Sequence, residues 1–264
     1  MTNVSIKNII NRYDMRIVVY VTQPAGKVKG TVVMAHGLSS SSNRDIFTKT
    51  TQTFIEAGYR VVRYDATHSL GASAGDPQYC TMTSIREDLD VVLERFYYVD
   101  LDLNKEKAGK LILLGHSLGA MAAGLHSDGA SALILISAVT DGKKSFEYSW
   151  TEDELDDWES IGYVERGVGR DSYHKVRWSH FHDRCAYTLL GDKLRSMNKP
   201  VLLISGTMDA DRPGTNDLEQ AIQNTHGHAS QVTRIDLKGA GHSIREPEHI
   251  AQVNESIKTF LSQI

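Results

Sequence analysis

The stretch LILLGHSLGAMAAGLH, Leu111 to His126, decides the fold of this chain. Its first four residues, Leu111 to Leu114, are all aliphatic, which is typical of a parallel strand buried on both faces. The next five, Gly115 to Gly119, match the pattern G-x-S-x-G, and the alanine- and glycine-rich residues that follow predict a helix over 117–126. A sharp turn between strand and helix leaves the hydroxyl of Ser117 exposed at the positive end of the helix dipole. An ordinary glycine-rich turn is the competing interpretation, but the strand–turn–helix context favours Ser117 as a nucleophile.

A serine nucleophile needs a base, and the base needs a carboxylate that orients it. After a turn of this kind, the acid and then the histidine follow the serine along the chain. Asp209 stands in SGTMD after the apolar run 201–204, and His242 stands in GAGHS after the run 231–237. The sequence therefore predicts a catalytic triad of Ser117, Asp209 and His242.

Other residues compete for two of these roles. Asp211 would be the orienting acid if the loop were shifted, but a shift of two residues from Asp209 alters the reach of the carboxylate. His226 and His228 stand in NTHGH, which indicates a surface turn at the end of a helix, and His249 falls within the last predicted helix. The histidine that directly follows the last strand is preferred over all three.

Apolar runs alternate with helical patterns along most of the chain. The predicted strands are 16–21, 31–35, 60–64, 111–114, 132–136, 201–204 and 231–237. The predicted helices are 44–57, 84–99, 117–126, 216–224 and 247–262. This alternation predicts an α/β fold with a mainly parallel central sheet flanked by helices.

One long segment, residues 139–195, breaks the alternation because it contains no clear strand. It is too long for a plain loop in a compact domain. We therefore predict a small inserted cap over one edge of the sheet, with residues 1–138 and 196–264 forming the core. Inside the cap, Thr151 followed by Glu154 is a capping-box pattern that predicts the start of a helix.

Charged and aromatic residues are concentrated in this cap. We interpret the acidic run EDELDDWE, residues 152–159, as the solvated face of the cap helix, with Leu155 and Trp158 pointing inward on one face. At least one cap aromatic is expected to line a pocket. The candidates are Phe146, Tyr148, Trp150, Trp158, Tyr163, Tyr173 and Trp178.

The cap also holds His174, His180, His182, Asp183 and Cys185, and a His-x-His spacing can chelate a metal. Their spacing matches no recognised structural or catalytic metal pattern, and a serine nucleophile needs no metal. We therefore expect neither a metal nor a cofactor.

The charge balance argues against nucleic-acid binding. The 264 residues include 29 basic and 33 acidic side chains, a formal net charge of −4, so the chain has no basic surplus to neutralise phosphates. Residues 1–20 lack the apolar core of a signal peptide, and no apolar run reaches the ~18 residues that a membrane span needs. Cys80 and Cys185 are expected to be free thiols in a cytoplasmic protein.

Together these motifs resemble the α/β-hydrolase superfamily over nearly the whole chain. The matching segments are VMAHGL at 33–38, GHSLG at 115–119, GTMD at 206–209 and AGHS at 240–243. The short HGLSS loop and the small cap resemble the group of feruloyl (cinnamoyl) esterases, monoacylglycerol lipases and serine-aminopeptidase-like hydrolases. Residues 64–75 resemble the D-x-x-G-x-G-x-S-x-G segment of these enzymes, with Thr67-His68-Ser69 in place of its usual glycine-rich spacing.

The resemblance implies an α/β-hydrolase fold with an antiparallel pair of N-terminal strands at the sheet edge. It also implies an oxyanion hole made by the backbone N–H groups of Leu38 and Leu118, with His36 in a structural role. We expect a serine esterase that cleaves small-molecule carboxylic esters with short-to-medium or aromatic acyl groups. Aminopeptidase, thioesterase or carbon–carbon bond hydrolase activity with the same triad stays an alternative, as does a ligand sensor on a hydrolase scaffold. The oligomeric state stays open, with a homodimer as one option.

Overall fold

A computed structural model describes residues 4–99, 109–167, 173–188, 190–195, 198–223 and 232–264. In it the seven predicted apolar runs and one further strand form an eight-stranded sheet. The strands, in chain order, are β1 Val4–Ile10, β2 Arg16–Thr22, β3 Gly30–Ala35, β4 Tyr59–Asp65, β5 Lys110–His116, β6 Ala132–Ile136, β7 Tyr163–Gly167, β8 Tyr173–Arg177, β9 Val201–Gly206 and β10 Val232–Leu237. The main sheet has the order β1-β2-β4-β3-β5-β6-β9-β10, and β7 pairs with β8 in a separate sheet. Every pair from β4 to β10 in the main sheet is parallel, whereas β2 is antiparallel to both β1 and β4. This confirms the predicted mainly parallel α/β fold.

Helices cover both faces of the main sheet. The helices, in chain order, are α1 Asp45–Glu56, α2 Met82–Leu93, α3 Leu118–Leu125, α4 Lys144–Glu147, α5 Glu152–Ile161, α6 Ser179–Cys185, α7 Leu190–Arg195, α8 Arg212–Gln223 and α9 Pro247–Leu261. The apolar side chains of α4, α5 and α6 form a separate cluster. Apolar side chains of α1 and α9 pack on one face of the sheet, and those of α2, α3, α7 and α8 pack on the other. The result is a three-layer core in which the central strands are buried on both faces, as their continuous apolar runs predict.

Some predicted boundaries differ from the structure for local reasons. Helix α2 begins at Met82 rather than at residue 84, because the hydroxyl of Thr81 accepts the N–H of Ser84 and the hydroxyl of Ser84 accepts the N–H of Thr81. Strand β1 is absent from the predicted set. It is an edge strand with mostly exposed side chains, so burial imposes no apolar pattern on it. The predicted end of a helix at 224 and start of a strand at 231 lie outside the described residues.

The segment 139–195 contains a β-hairpin, so the prediction that it has no strand was wrong. Strands β7 and β8 pair antiparallel from Tyr163 opposite Arg177 to Gly167 opposite Tyr173. Val176 is the buried residue of the pair, and the other described side chains are half-buried or exposed. A hairpin with so little burial carries no apolar run that would reveal it in the sequence.

The predicted start of a helix in this segment is confirmed. The hydroxyl of Thr151 accepts the N–H of Glu154, and the Glu154 carboxylate accepts the N–H of Thr151, which begins α5. As predicted, the acidic side chains of α5 face solvent while Trp158 is buried. Leu155 is half-buried and packs against the cluster of apolar side chains that contains Trp158.

Hydrogen bonds join the segment to the sheet-bearing part of the chain. Ser39 Oγ lies 2.8 Å from His174 Nε2, and the N–H of Thr83 donates to an Asp183 carboxylate oxygen over 3.0 Å. His180 Nδ1 donates to the backbone carbonyl of Cys80 over 3.0 Å. These contacts come from two elements of the segment, β8 and α6, so they fix the position of the segment beside the carboxyl ends of the parallel strands.

Two further expectations concern the cysteines and the membrane. Cys80 and Cys185 are free thiols, the first buried and the second half-buried. Among the described residues, no helix combines the length and the apolar character required to cross a bilayer.

Candidate active site

Ser117 occupies a strained turn between β5 and α3. Its backbone has φ 60° and ψ −124°, a conformation that L-residues rarely adopt. Its N–H donates to the carbonyl of Ile136 on the neighbouring strand over 3.0 Å, which holds the turn in place. The serine side chain therefore projects from the end of the sheet at the N-terminus of a helix.

Three glycines allow this turn to form beside its neighbours. A Cβ on Gly115 would lie 2.2 Å from the carbonyl oxygen of Gly119, and a Cβ on Gly119 would lie 2.2 Å from the carbonyl oxygen of Ala35. A Cβ on Gly37 would lie 2.8 Å from the Cβ of Ser117. All three distances are too short for real side chains, so the pattern G-x-S-x-G and the His-Gly loop are requirements of close backbone approach.

The structure brings the three predicted triad residues together. His242 Nε2 lies 2.8 Å from Ser117 Oγ, and His242 Nδ1 lies 2.9 Å from Asp209 Oδ1. This geometry fits a neutral imidazole that donates its Nδ1–H to Asp209 and accepts the Ser117 hydroxyl proton at Nε2. The three side chains form one continuous hydrogen-bonded chain.

The parallel sheet explains why residues so distant in sequence meet. Ser117 follows β5, Asp209 follows β9 and His242 follows β10. Because the carboxyl ends of parallel strands lie at one edge of the sheet, the three loops converge there.

Asp209 and His242 shift each other's protonation. Burial lowers the pKa of His242, but the hydrogen bond to Asp209 and the negative charges of Asp209 and Asp211 outweigh burial and hold the pKa above the ordinary 6.5. Burial raises the pKa of Asp209, but the hydrogen bond and charge of His242 outweigh it and hold the pKa below the ordinary 3.8. The pair thus favours a carboxylate at Asp209 in contact with an imidazole that readily takes a proton.

The rival residues lie in different positions. Asp211 Oδ2 is 3.5 Å from His242 Nδ1, beyond the 2.9 Å of Asp209, and its own N–H donates to Asp209 Oδ1 over 3.0 Å. Burial raises the pKa of Asp211. His249 Nε2 instead donates to the carbonyl of Lys238. The remaining candidates, His226 and His228, lie outside the described residues.

Two buried histidines support the site without joining the triad. His116 donates its Nε2–H to the backbone carbonyl of His242 over 2.8 Å, and burial lowers its pKa to about 3, so it stays neutral. His36 donates Nδ1–H to the carbonyl of Gly37 over 2.9 Å and accepts the N–H of Ala66 at Nε2 over 3.0 Å. The second arrangement matches the structural role predicted for His36. The role of His116 was missed by the sequence reasoning, although its place beside the nucleophile was a signal.

A cavity of about 460 Å³ lies above Ser117 and His242. Leu38 and Leu118, whose amides are the predicted oxyanion donors, are among the lining residues. Leu118 is the first residue of α3, so its N–H is one of the donors that a helix leaves without an internal partner. Both residues therefore border the same cavity as Ser117.

Comparisons with known proteins show the family to which the chain belongs. A sequence profile of the Alpha/beta hydrolase family matches residues 32–255 of the 264. The chain belongs to the alpha/beta hydrolase family. A comparison with curated protein sequences found no match.

Solved structures of similar fold extend the likeness of this α/β hydrolase to almost the full chain. Est1E from Butyrivibrio proteoclasticus, solved with ferulic acid bound, has a TM-score of 0.78 at 17% identity, covering 97% of this chain and 98% of that one. A putative hydrolase from Agrobacterium vitis has a TM-score of 0.77 at 19% identity, with 99% of both chains covered. Alpha/beta hydrolase domain-containing protein 10 from mouse has a TM-score of 0.74 at 18% identity, covering 98% and 99%. At these identities the likeness concerns the fold.

In this α/β hydrolase, the aromatic side chains of segment 139–195 mostly pack on one another. Phe146 and Trp158 are buried, and Trp178 stacks on Phe181 with ring centroids 4.2 Å apart. Among the seven predicted candidates, Trp150 is the one that lines the cavity. It stacks on Trp158 at 5.2 Å, so the cluster supports this wall of the cavity.

The candidate metal ligands of the same segment do not converge among the described residues. His174, His180 and Asp183 each contact a different residue of the core, as the hydrogen bonds above establish. The potential ligand atoms that do converge belong to Asp209, Asp211 and His242, within 4.8 Å of one another. Both ring nitrogens of this histidine already make hydrogen bonds, so the triad accounts for the cluster.

Sequence reasoning also missed the arginines of the cavity. Arg44, Arg166, Arg184 and Arg245 all line it. They come from four separate parts of the chain, and arginine is ordinarily a surface residue, so no local pattern marks them.

Proposed function

We propose that this α/β hydrolase cleaves carboxylic esters through an acyl-enzyme formed on Ser117. The observation that carries the proposal is the hydrogen-bonded chain from Ser117 through His242 to Asp209 at the floor of the cavity. A base within 2.8 Å of a serine hydroxyl, itself oriented by a carboxylate, is the arrangement that turns a weak nucleophile into an effective one.

The reaction proceeds in two stages. Ser117 Oγ attacks the ester carbonyl as His242 Nε2 takes the hydroxyl proton, and the N–H groups of Leu38 and Leu118 donate to the resulting oxyanion. The bond to the alcohol oxygen then breaks as His242 returns the proton to that oxygen. Water attacks the acyl-enzyme with His242 again as base, which releases the carboxylic acid and restores Ser117. Asp209 stabilises the imidazolium in both stages.

We assign residues 139–195 as a cap over a core of residues 1–138 and 196–264, with selectivity for the acyl group in the cap. A cavity of about 460 Å³ that is walled by Trp150 suits short-to-medium or aromatic acyl groups better than long alkyl chains. The structure of Est1E with ferulic acid makes hydroxycinnamate esters the first aromatic substrates to test.

The first test is the variant Ser117→Ala with 4-nitrophenyl butyrate. We expect kcat to fall by about 10⁴-fold or more, with the circular dichroism spectrum unchanged, and labelling by a fluorophosphonate to be lost. The matched control is Ser256→Ala, which changes a half-buried serine on α9 outside the cavity lining and should keep both properties. Near-wild-type hydrolysis by Ser117→Ala would overturn the mechanism.

The same assay separates the two aspartates. Asp209→Asn should lower kcat by about 10⁴-fold because the amide no longer fixes the tautomer of His242. Asp211→Asn should cost about tenfold or less, since its carboxylate lies beyond hydrogen-bond distance of the ring at 3.5 Å. Equal losses in the two variants would contradict this assignment.

Substrate range is tested with a chain-length series of nitrophenyl esters beside hydroxycinnamate esters, thioesters and aminoacyl amides. We expect the highest kcat/KM for aromatic or short-to-medium acyl esters. Rates that climb to the longest chains, with emulsified triglyceride as best substrate, would reject the proposed range. Preference for a thioester or an amide would reassign the bond that the triad cleaves.

A further inference from the structure

The cavity above Ser117 concentrates positive charge in a protein whose formal net charge is −4. Four arginines line it, together with the acidic residues Glu154, Asp209 and Asp211. Among the described residues, no carboxylate lies within 4.0 Å of any of the four guanidinium groups. This excess is a property of the cavity and not of the surface as a whole.

Two of the three acidic side chains are already engaged. Asp209 is bound to His242, and Glu154 accepts both the N–H and the hydroxyl of Thr151 at the start of α5. Asp211 is the remaining carboxylate. The cavity therefore holds more guanidinium charge than its free carboxylates balance.

Arg184 is the most deeply buried of these arginines. The residue is only 8% exposed, and its guanidinium carbon lies 4.3 Å from the ring centroid of Phe146. One terminal nitrogen donates to the hydroxyl of Ser145, but the buried Nε–H has no hydrogen-bond partner. Burial lowers its pKa to about 10, so the group is still cationic at neutral pH. A buried guanidinium with an unpartnered donor is costly unless a ligand supplies the acceptor.

Arg166 lines the same cavity as Arg184. Its guanidinium carbon is 5.1 Å from the ring of Trp150, and its Nε–H is also buried without a partner. Asp211 acts on both guanidinium groups through its charge, so one carboxylate faces two cations. Stacking on Trp150 and Phe146 restricts the two planar groups, which leaves their N–H edges as preorganised donors.

We propose that the substrate carries a second, negatively charged group, a carboxylate or a phosphate, that Arg184 and Arg166 bind while the ester carbonyl lies at Ser117. Planar guanidinium groups match both anions through paired N–H donors, and a partly buried cavity strengthens the contact relative to water. Arg44 and Arg245 are the other two lining arginines, and their charge favours entry of the same anion. This inference deepens the proposed ester hydrolysis and rests on it.

The test compares esters that differ only in charge. On the acyl side, mono(4-nitrophenyl) adipate is paired with 4-nitrophenyl hexanoate, which has the same chain length. On the alcohol side, 4-acetoxybenzoate is paired with its methyl ester, and 4-acetoxyphenyl phosphate with its dimethyl ester. We expect kcat/KM to favour the anionic member of at least one pair by about tenfold, and the winning pair identifies the anion and its side of the ester. Equal or lower kcat/KM for all three anions would overturn the proposal.

Variants then assign the preference to the two arginines. Arg184→Met and Arg166→Met should each reduce the ratio of anionic to neutral kcat/KM by about tenfold. Arg177→Met is the matched control, because Arg177 is an exposed arginine on the same hairpin as Arg166 and binds Gln78 and Tyr79 instead. The ratio within one variant does not depend on how much of the sample is folded. An unchanged ratio in both cavity variants would overturn the assignment, and Arg184→Gln, which also removes the charge, replaces Arg184→Met if the latter does not fold.

Failure of this inference is distinct from failure of the proposed function. Ser117-dependent hydrolysis of 4-nitrophenyl hexanoate without any anionic preference rejects the arginine site and keeps the esterase. Absence of hydrolysis of every ester rejects the esterase, and the site is then tested by calorimetry of adipate and of inorganic phosphate binding to Ser117→Ala. Binding that Arg184→Met weakens by about tenfold in that background supports the anion site, and no binding of either anion rejects it.

Discussion

Asp209 and Asp211 face the same nitrogen of His242, and small differences in position separate them. Asp209 Oδ1 lies 2.9 Å from Nδ1, whereas Asp211 Oδ2 lies at 3.5 Å. A hydrogen bond fixes the orientation and tautomer of the ring, while a carboxylate at the longer distance acts through its charge. We therefore interpret Asp209 as the orienting acid and Asp211 as a charge that raises the pKa of His242.

This arrangement predicts the pH dependence of hydrolysis. kcat/KM should rise with pH as His242 loses its proton, because only the neutral ring can take the proton of Ser117. Burial and the charge of Arg184 lower the pKa of His242, whereas Asp209 and Asp211 raise it. The net result is a pKa above 6.5, so the rise in kcat/KM should be centred above pH 6.5. Removing the charge in Asp211→Asn should move the midpoint to lower pH, and Arg184→Met should move it to higher pH.

The measurement is a profile of kcat/KM for a neutral nitrophenyl ester from about pH 5 to about pH 9 at constant ionic strength. His116 stays neutral over this range because burial lowers its pKa to about 3, so it adds no second step. Shifts of the same sign in Asp211→Asn and Arg184→Met would contradict the electrostatic account.

At the scale of elements, the site depends on how closely α3 approaches the sheet. Its first six residues include Gly119, Ala120, Ala122 and Ala123, all buried, so the helix backbone lies against β3 and β5. At Gly119 the approach leaves no room for a side chain, since a Cβ there would lie 2.2 Å from the carbonyl oxygen of Ala35. The N-terminus of α3 is held directly beneath the nucleophile as a result.

Gly119→Ala should therefore destabilise the protein even though alanine is the better helix former. The added Cβ would lie 2.2 Å from a backbone oxygen, which forces α3 away from β3 at a cost of about 1–3 kcal/mol. Gly26→Ala is the control, because a Cβ there meets nothing within 4 Å. Denaturant unfolding measures both, and a Gly119→Ala variant as stable as Gly26→Ala would contradict the close approach of helix and sheet.

At the scale of the whole molecule, apolar side chains gather in separate places. Two large clusters lie on the two faces of the main sheet, and a small one, built on Phe146, Trp158 and Val176, lies within segment 139–195. The indole N–H of Trp158 donates to the carbonyl of Val176 over 3.0 Å, which joins α5 to the hairpin. Residues 146–185 of this segment therefore share a cluster of their own, whereas α7 at the end of the segment packs on the sheet.

This division predicts that stability and activity respond to different substitutions. Phe54→Ala, in a cluster on the sheet, should cost about 3–5 kcal/mol and lower Tm by about 10 °C, with kcat/KM of the folded protein retained. Trp158→Ala should lower kcat/KM by about tenfold or more, because Trp150 loses its support and Arg166 lies over the ring of Trp150. Thermal scans and ester assays measure the two effects. A Trp158→Ala variant with wild-type kcat/KM would reject the role of this cluster.

The amino-acid sequence by itself determined the features that depend on neighbouring residues. The apolar run before Ser117 and the glycines around it specify the buried strand and the turn, because close backbone approach admits no other residue at Gly115 and Gly119. The pair Thr151 and Glu154 specifies the start of α5 because both hydrogen bonds of the capping box are local. Strand order along the chain also predicted that Asp209 and His242 meet Ser117.

Only the tertiary structure decided the features that depend on distant residues. Strand β1 and the β7–β8 hairpin bury few side chains, so pairing with a neighbour, and not an apolar pattern, makes them strands. The contact of His116 with the backbone of His242 joins positions far apart in the chain. Arg166 and Arg184 are carried on separate elements but line one cavity. A local pattern records the conformation of its own backbone, whereas the charge of a cavity arises from side chains that only the packing of the elements brings together.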